Sequence, residues 1–147
     1  MKKVTRKIGV ALMVLMLGIG VIGCGSNKSQ VNTGEAQLWQ SAVYTEDTEL
    51  GEGAKTCVVT VEVPDNQITF TIHTDKDNVG DALIENDLIA GEDGDYGIYI
   101  KSVNGITADY DIDQSYWAFF VNDDYATTGV DTTPINENEK YRLVYTR

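Results

Sequence analysis

The sequence predicts an α+β domain in which an antiparallel or mixed sheet packs on one α-helix, and three observations carry that prediction. Two alternating apolar runs, at 57–63 and 68–74, flank a short turn. One stretch, 77–94, switches to helical period. Three further β-branched and aromatic runs follow, at 96–103, 116–122 and 141–146. Alternation with period two buries one face of a strand, whereas apolar residues recurring at three and four positions bury one stripe of a helix. The resulting order β-β-α-β-β-β makes one sheet and one crossover helix the economical arrangement.

The chain opens on a segment outside this domain. Lys2, Lys3, Arg6 and Lys7 precede an uncharged apolar run from Ile8 to Ile22. The run is shorter than the roughly 20 residues of a membrane span, and the basic-then-apolar order is that of an export signal. It closes on Val21-Ile22-Gly23-Cys24, which resembles the lipobox of bacterial lipoproteins. The resemblance implies that residues 1–23 are a lipoprotein signal peptide and that Cys24 carries the lipid. The protein is then anchored in the cell membrane on its extracytoplasmic face. Residues 24–44 comprise the lipidated cysteine, a polar flexible tether to about Ala36 and a lead-in that starts near Leu38-Trp39,.

The 147 residues hold 11 basic and 23 acidic side chains, a formal net charge of −12. Four of the basic residues lie in the leader, which leaves seven against 23, a net of −16. Such a surface repels a phosphate backbone and excludes nucleic acid as a partner class. The two cysteines cannot pair within the chain once Cys24 is lipidated,. Cys57 shares its strand phase with Val59, Val61 and Val63 and reads as a small buried hydrophobe,.

A turn-rich acidic stretch, residues 45–55, leads into the first strand. Along 57–63, Cys57, Val59, Val61 and Val63 face inward, and Pro64-Asp65-Asn66 supplies the turn,. Along 68–74, Ile68, Phe70 and Ile72 face inward while Thr69, Thr71 and His73 face out,. From Asp77 onward, Val79, Ala82, Leu83, Ile84, Leu88 and Ile89 recur at helical spacing. Asp77 or Asn78 caps the start, Asp81 suits the first turn, and Gly91 closes a helix of about three turns. The strand 96–103 ends at Asn104-Gly105, a strong turn signal,. The strand 116–122 turns at Asp123-Asp124 into Tyr125-Ala126, and 141–146 is the last strand.

Residues with catalytic chemistry are few. His73 is the single histidine and falls on an outward phase, with no nucleophile placed beside it,. One histidine and one free cysteine cannot close a zinc site. Asp109, Asp111 and Asp113 have the first spacings of a calcium loop, but Gln114 stands where glycine is needed and Phe120 where the bidentate glutamate is needed,. No catalytic residue and no metal ligand is assigned, and the chain reads as a binding protein, not an enzyme.

The aromatic residues carry more. Tyr116, Trp117, Phe119 and Phe120 fall within five consecutive positions. Tyr116, Ala118 and Phe120 share one phase, expected under the helix; Trp117, Phe119 and Val121 share the other, expected outside it. The strand 96–103 is likewise apolar on both faces. The second face needs a cover, which the pattern leaves open among the Leu38-Trp39 segment, a partner protein and a flat apolar ligand.

TELGEGAKT (48–56), NVGDALIEND (78–87), YGIYIKSVNGITADY (96–110), SYWAFFVNDDYATTGVD (115–131) and ENEKYRLVY (137–145) together resemble the DUF4430 family of bacterial surface lipoproteins. That family is related to the C-terminal β-domain of transcobalamin and intrinsic factor, and the resemblance spans about 45–147. It implies a β-grasp-like fold. In the cobalamin carriers this domain closes over the upper face of the corrinoid. Carried over residue by residue, the resemblance implies ligand contacts from Tyr99, Ser102 and Val103 in IYIKSV and from Trp117 and Phe119 in YWAFF. The implied function is extracytoplasmic binding of cobalamin or another corrinoid for delivery to a membrane transporter. A cell-surface interaction or assembly module without a small-molecule ligand is the alternative.

Overall fold

The computed structural model describes residues 33–147; the leader, Cys24 and the start of the tether lie outside it. The chain begins with α1 (Thr33–Leu38), a 3-10 turn (Trp39–Ser41) and β1 (Thr48–Gly51). The hairpin β2 (Lys55–Val63) and β3 (Asn66–Thr74) follows, then α2 (Val79–Glu85). Next come β4 (Ile89–Gly94), β5 (Gly97–Val103), β6 (Ile106–Thr107) and α3 (Tyr110–Asp113). β7 (Tyr116–Val121), β8 (Asp124–Tyr125), a 3-10 turn (Val130–Thr132) and β9 (Lys140–Thr146) complete it.

The strands form two sheets, a six-stranded one in the order β1-β3-β2-β9-β7-β8 and a three-stranded one in the order β4-β5-β6. In the larger sheet β2 and β9 run parallel at the centre, and antiparallel β3 and β7 flank them. A parallel central pair reached through a helical crossover is the β-grasp arrangement, so the fold class is the expected α+β. The division into two sheets was not expected. Its source is β4, which occupies the second half of the stretch read as helix and pairs with β5; β1, too short to show alternation, adds an unexpected edge strand to the larger sheet beside β3.

The helix is the principal correction. It covers seven residues, not three turns. Asn78 caps it by accepting from Asp81 N at 2.8 Å, and its amide donates to the Asp81 carboxylate at 2.9 Å. Gly91 plays no part in the C-terminus. Leu88 N donates to Leu83 O and Asp87 N to Ile84 O, with Asp87 at φ 55°. These are the two bonds of a Schellman stop, with aspartate in the left-handed position usually taken by glycine. Leu83 and Leu88 are both buried, so the apolar contact that accompanies such a stop is also present. Gly91 instead lies beside the register shift in the β4–β5 pairing, where a Cβ would collide with Tyr99 O.

The hairpin matches expectation. Every second residue from Cys57 to Val63 and from Ile68 to Ile72 is buried, and α2 adds Val79, Ala82 and Leu83 to the same core. Cys57 is fully buried, and burial pushes its thiol up to about 12, which removes thiolate chemistry at neutral pH,.

The strand phase of β7 is the second correction. Trp117 pairs with Tyr145 and Phe119 with Leu143. Directly opposed residues share a face, and Tyr141, Leu143 and Tyr145 point into the core. Trp117 and Phe119 are therefore buried on the inner side, not outside it. Phe120 lies on the other face, 5.0 Å below the Arg142 guanidinium. The turn after β7 is Asn122-Asp123, both at positive φ, one residue earlier than expected.

The N-terminal segment also packs on the core. Leu38, Trp39, Ala42 and Tyr44 pack on the core, with the Tyr44 ring edge-on to Phe70 at 5.6 Å. The Asn104 side chain accepts from Tyr44 N at 2.9 Å and donates to Tyr44 O at 2.8 Å. Gly105 (φ 79°) lets Ser41 O approach where a Cβ would stand 2.5 Å away.

Candidate binding groove

β5 and β7 belong to different sheets and meet along a seam of side chains. On the β5 side lie Ile98, Tyr99 and Ile100; on the β7 side lie Trp117 and Phe119. The segment from Ala126 to Val130 closes the third side of a cleft of about 170 Å³. The cleft runs outward into a trough of about 580 Å³ with Tyr96, Tyr99, Tyr116, Trp117 and Tyr125 on its walls.

Exposure separates rim from floor. Tyr96 is 94% exposed, Tyr125 61% and Tyr99 41%, whereas Trp117 and Phe119 retain 7% and 8%. The floor is held by aromatic packing. Trp117 meets Tyr145 edge-on at 5.6 Å, and Phe119 stacks on Tyr141 at 6.2 Å. Such pairs contribute about 0.5–1.5 kcal/mol beyond their buried area. Tyr141 is itself fixed: its hydroxyl accepts from Asn136 N, and its one proton lies within reach of two acceptors, the Glu139 carboxylate and Pro134 O. Burial, reinforced by Glu139, pushes its hydroxyl up to about 12, so it stays a neutral donor. The third wall is pinned by Asp131, whose carboxylate accepts from Ile98 N at 3.3 Å and fills the space where Gly97 (φ 108°) lacks a side chain. On the rim, Lys101 Nζ lies 4.9 Å from the Tyr99 ring centroid,.

Of the five residues expected to touch ligand, Tyr99, Trp117 and Phe119 meet in this groove. Ser102 and Val103 do not line it. Val103 is fully buried between Ile89 and Ile106, and Ser102 sits opposite Ala90 and Thr107. Tyr96, Tyr116 and Tyr125 were not anticipated. Their signal is positional: Tyr96 precedes the glycine that opens β5, and Tyr125 follows the Asn122-Asp123 turn that folds β8 back on β7.

Elsewhere the polar chemistry is engaged. His73 Nε2 pairs with the Glu49 carboxylate on the sheet surface. Asp109 caps α3 through Asp111 N, and Asp113 is taken up by Ser115 and Arg147. Among the described residues no group of three His, Cys, Asp or Glu side chains converges to hold a metal ion. No described helix is long and apolar enough to cross a membrane.

Comparison with known proteins places the chain in a family. A crystal structure of a candidate metal-binding protein from Ruminococcus gnavus ATCC 29149 is 30% identical, with a TM-score of 0.60. The match covers 64% of this chain and 98% of that one. The family model described as "Domain of unknown function (DUF4430)" matches residues 76–147. The chain belongs to the DUF4430 family. The matched DUF4430 span holds both β5 and β7 and starts later than the 45–147 of the sequence resemblance, leaving β1 to β3 outside. Haptocorrin, crystallised in complex with Cbi, shares the DUF4430 chain's fold at a TM-score of 0.53 and 14% identity. That match covers 67% of this chain and 26% of haptocorrin, so the DUF4430 chain spans about a quarter of that protein's length. No curated protein matches the sequence.

Proposed function

We propose that this protein is a membrane-anchored, extracytoplasmic binding lipoprotein whose groove between β5 and β7 receives one face of a flat ligand of the cobalamin or corrinoid class, for delivery to a membrane transporter. The observation that carries the reading is the convergence of Tyr99, Trp117 and Phe119 on one aromatic groove. The fold shared with haptocorrin, itself in complex with Cbi, supports the ligand class. The anchor rests on the lipobox-like Val21-Ile22-Gly23-Cys24, which lies outside the described residues. The action is binding, not catalysis: the lone histidine is paired with Glu49 and the thiol of Cys57 is buried.

An open trough covers part of a ligand, whereas tight sites enclose most of it. Micromolar affinity is therefore the expected range, with a second surface covering the remaining face. Titrating the purified protein with cyanocobalamin, followed by absorbance and calorimetry, tests the ligand. No response at high micromolar concentration removes the corrinoid reading. Cys24→Ser should release the protein from the membrane fraction; retention of the variant would count against the anchor. The alternative, a cell-surface interaction module, draws on Tyr96 and Tyr125, whose exposed rings suit a protein contact,. It predicts a partner lost on Tyr96→Ala with cobalamin inert.

A further inference from the structure

The outer face of the six-stranded sheet carries a second concave site, a pocket of about 280 Å³ lined by Thr60, Asn122, Asp123, Asn138, Lys140 and Arg142. Thr60 and Arg142 are paired neighbours on β2 and β9, and Lys140 shares the Arg142 face two residues earlier,. Asn122 is fixed to the start of β9, its side-chain oxygen accepting from Lys140 N at 2.9 Å and its backbone N–H donating to Lys140 O at 2.8 Å. Because that oxygen is engaged, the Asn122 side chain has only its amide NH2 left to offer. Two of the seven basic residues beyond the leader stand in this one lining. Among the described residues Lys140 Nζ enters no ion pair. Arg142 NH1 lies 3.4 Å from the Glu62 carboxylate and 3.5 Å from that of Asp123, whose side chain is 84% exposed. Both contacts are longer than the about 2.7–2.9 Å of a charge-assisted hydrogen bond. Donors therefore dominate the lining, and Asp123 is its one acceptor-only group.

We propose that this pocket binds a small oxyanion, a carboxylate or phosphate group, which takes the place of the Asp123 carboxylate beside the guanidinium. Arg142 is the forked donor suited to two oxygens, Lys140 the point charge, and Asn122 a neutral donor on the third side. The surplus of acidic residues opposes any anion, so binding falls in the millimolar range,. It also limits the occupant to one compact group, because a polyanion laid over the surface meets carboxylates beyond the pocket. The site is separate from the groove: Arg142 pairs with Phe120 on the outer face of the sheet, whereas Trp117 and Phe119 face the core. It stands whether or not a corrinoid binds.

The probe is inorganic phosphate, titrated at constant ionic strength into the ¹⁵N-labelled full chain in neutral detergent micelles. The backbone amides of Thr60, Asn122, Lys140 and Arg142 should shift saturably while those of Tyr99 and Trp117 stay. Lys140→Gln should weaken binding at least about threefold, and Asp123→Asn should tighten it at least about threefold. Glu46→Gln removes one negative charge as well, but just before β1 at the far edge of the sheet, and should leave the affinity within about 1.5-fold,. In lipid nanodiscs without added phosphate, the same shifts appearing only with phosphatidylglycerol make a lipid headgroup the source. Their absence there, alongside saturable shifts in phosphate, assigns a soluble anion. Shifts that are linear and spread over the chain, unchanged affinity in Lys140→Gln, or equal effects of Asp123→Asn and Glu46→Gln overturn the site.

Discussion

Asn104 and Tyr44 exchange two hydrogen bonds across 60 residues of sequence, the side-chain amide of one matching the backbone N–H and C=O of the other. Asn104 is 1% exposed and adopts φ 50°, a conformation asparagine tolerates better than most residues,. Its own N–H donates to Leu88 O and its C=O accepts from Val43 N. One residue thus joins the N-terminal strap, the end of α2 and the β5–β6 turn.

Asn104→Ala should therefore destabilise the fold by about 2–3 kcal/mol, since it leaves both backbone groups of Tyr44 without partners. Urea denaturation is the measurement. A loss below about 0.5 kcal/mol would mean the strap is held by its apolar contacts alone.

Asp87→Gly should stabilise the protein by up to about 1 kcal/mol, because the left-handed position that ends α2 is cheaper for glycine than for aspartate. Thermal denaturation should show a midpoint raised by a few degrees. The same residue explains why the helix was misread. The apolar spacing from Val79 to Ile89 fits a longer helix, and a glycine stood ready at 91. What stops the helix is a hydrogen-bonded turn at Asn86-Asp87, built from residues that are equally at home on a helix surface.

The β2–β3 hairpin was legible because alternation, turn chemistry and burial all agree over two nine-residue strands. The groove was half legible. Aromatic density singled out 116–120, but which face of β7 points inward depends on its register with β9, a long-range pairing that no local period encodes,. Trp117 and Phe119 thus came out as site residues from the wrong side of the strand. Ser102 and Val103, carried over by resemblance, lie beyond the groove because the strand passes into the core at Val103.

Acid should expose the contribution of Asp113. The hydrogen bond from Ser115 Oγ, with help from Ser115 N and Arg147, holds its carboxyl below the usual carboxylate range. A depressed folded-state value stabilises the fold above about pH 4, where the unfolded carboxyl is ionised, and the gain fades as pH falls through the folded value. Urea midpoints measured from pH 7 to 3 should show wild type above Asp113→Asn at neutral pH and the two converging in acid. Parallel curves would contradict the assignment.

Cys57 should resist thiol reagents in the folded protein. Burial raises its thiol to about 12 and closes access to it. Ellman's reagent at pH 8 should react only as fast as the protein unfolds, with the rate rising in urea; rapid labelling in buffer would show the hairpin core to be open.

The groove itself is tested most directly by calorimetric titration of wild type and Tyr99→Ala with cyanocobalamin, side by side. Tyr99 is the one residue of the expected set that is both exposed and part of the cleft and the trough. Its loss removes contact area without opening the core. The account predicts saturable binding by wild type in the micromolar range and binding at least about fivefold weaker in Tyr99→Ala, about 1 kcal/mol, with both proteins equally stable. Wild-type binding that Tyr99→Ala leaves untouched, or no binding by wild type at all, would contradict it.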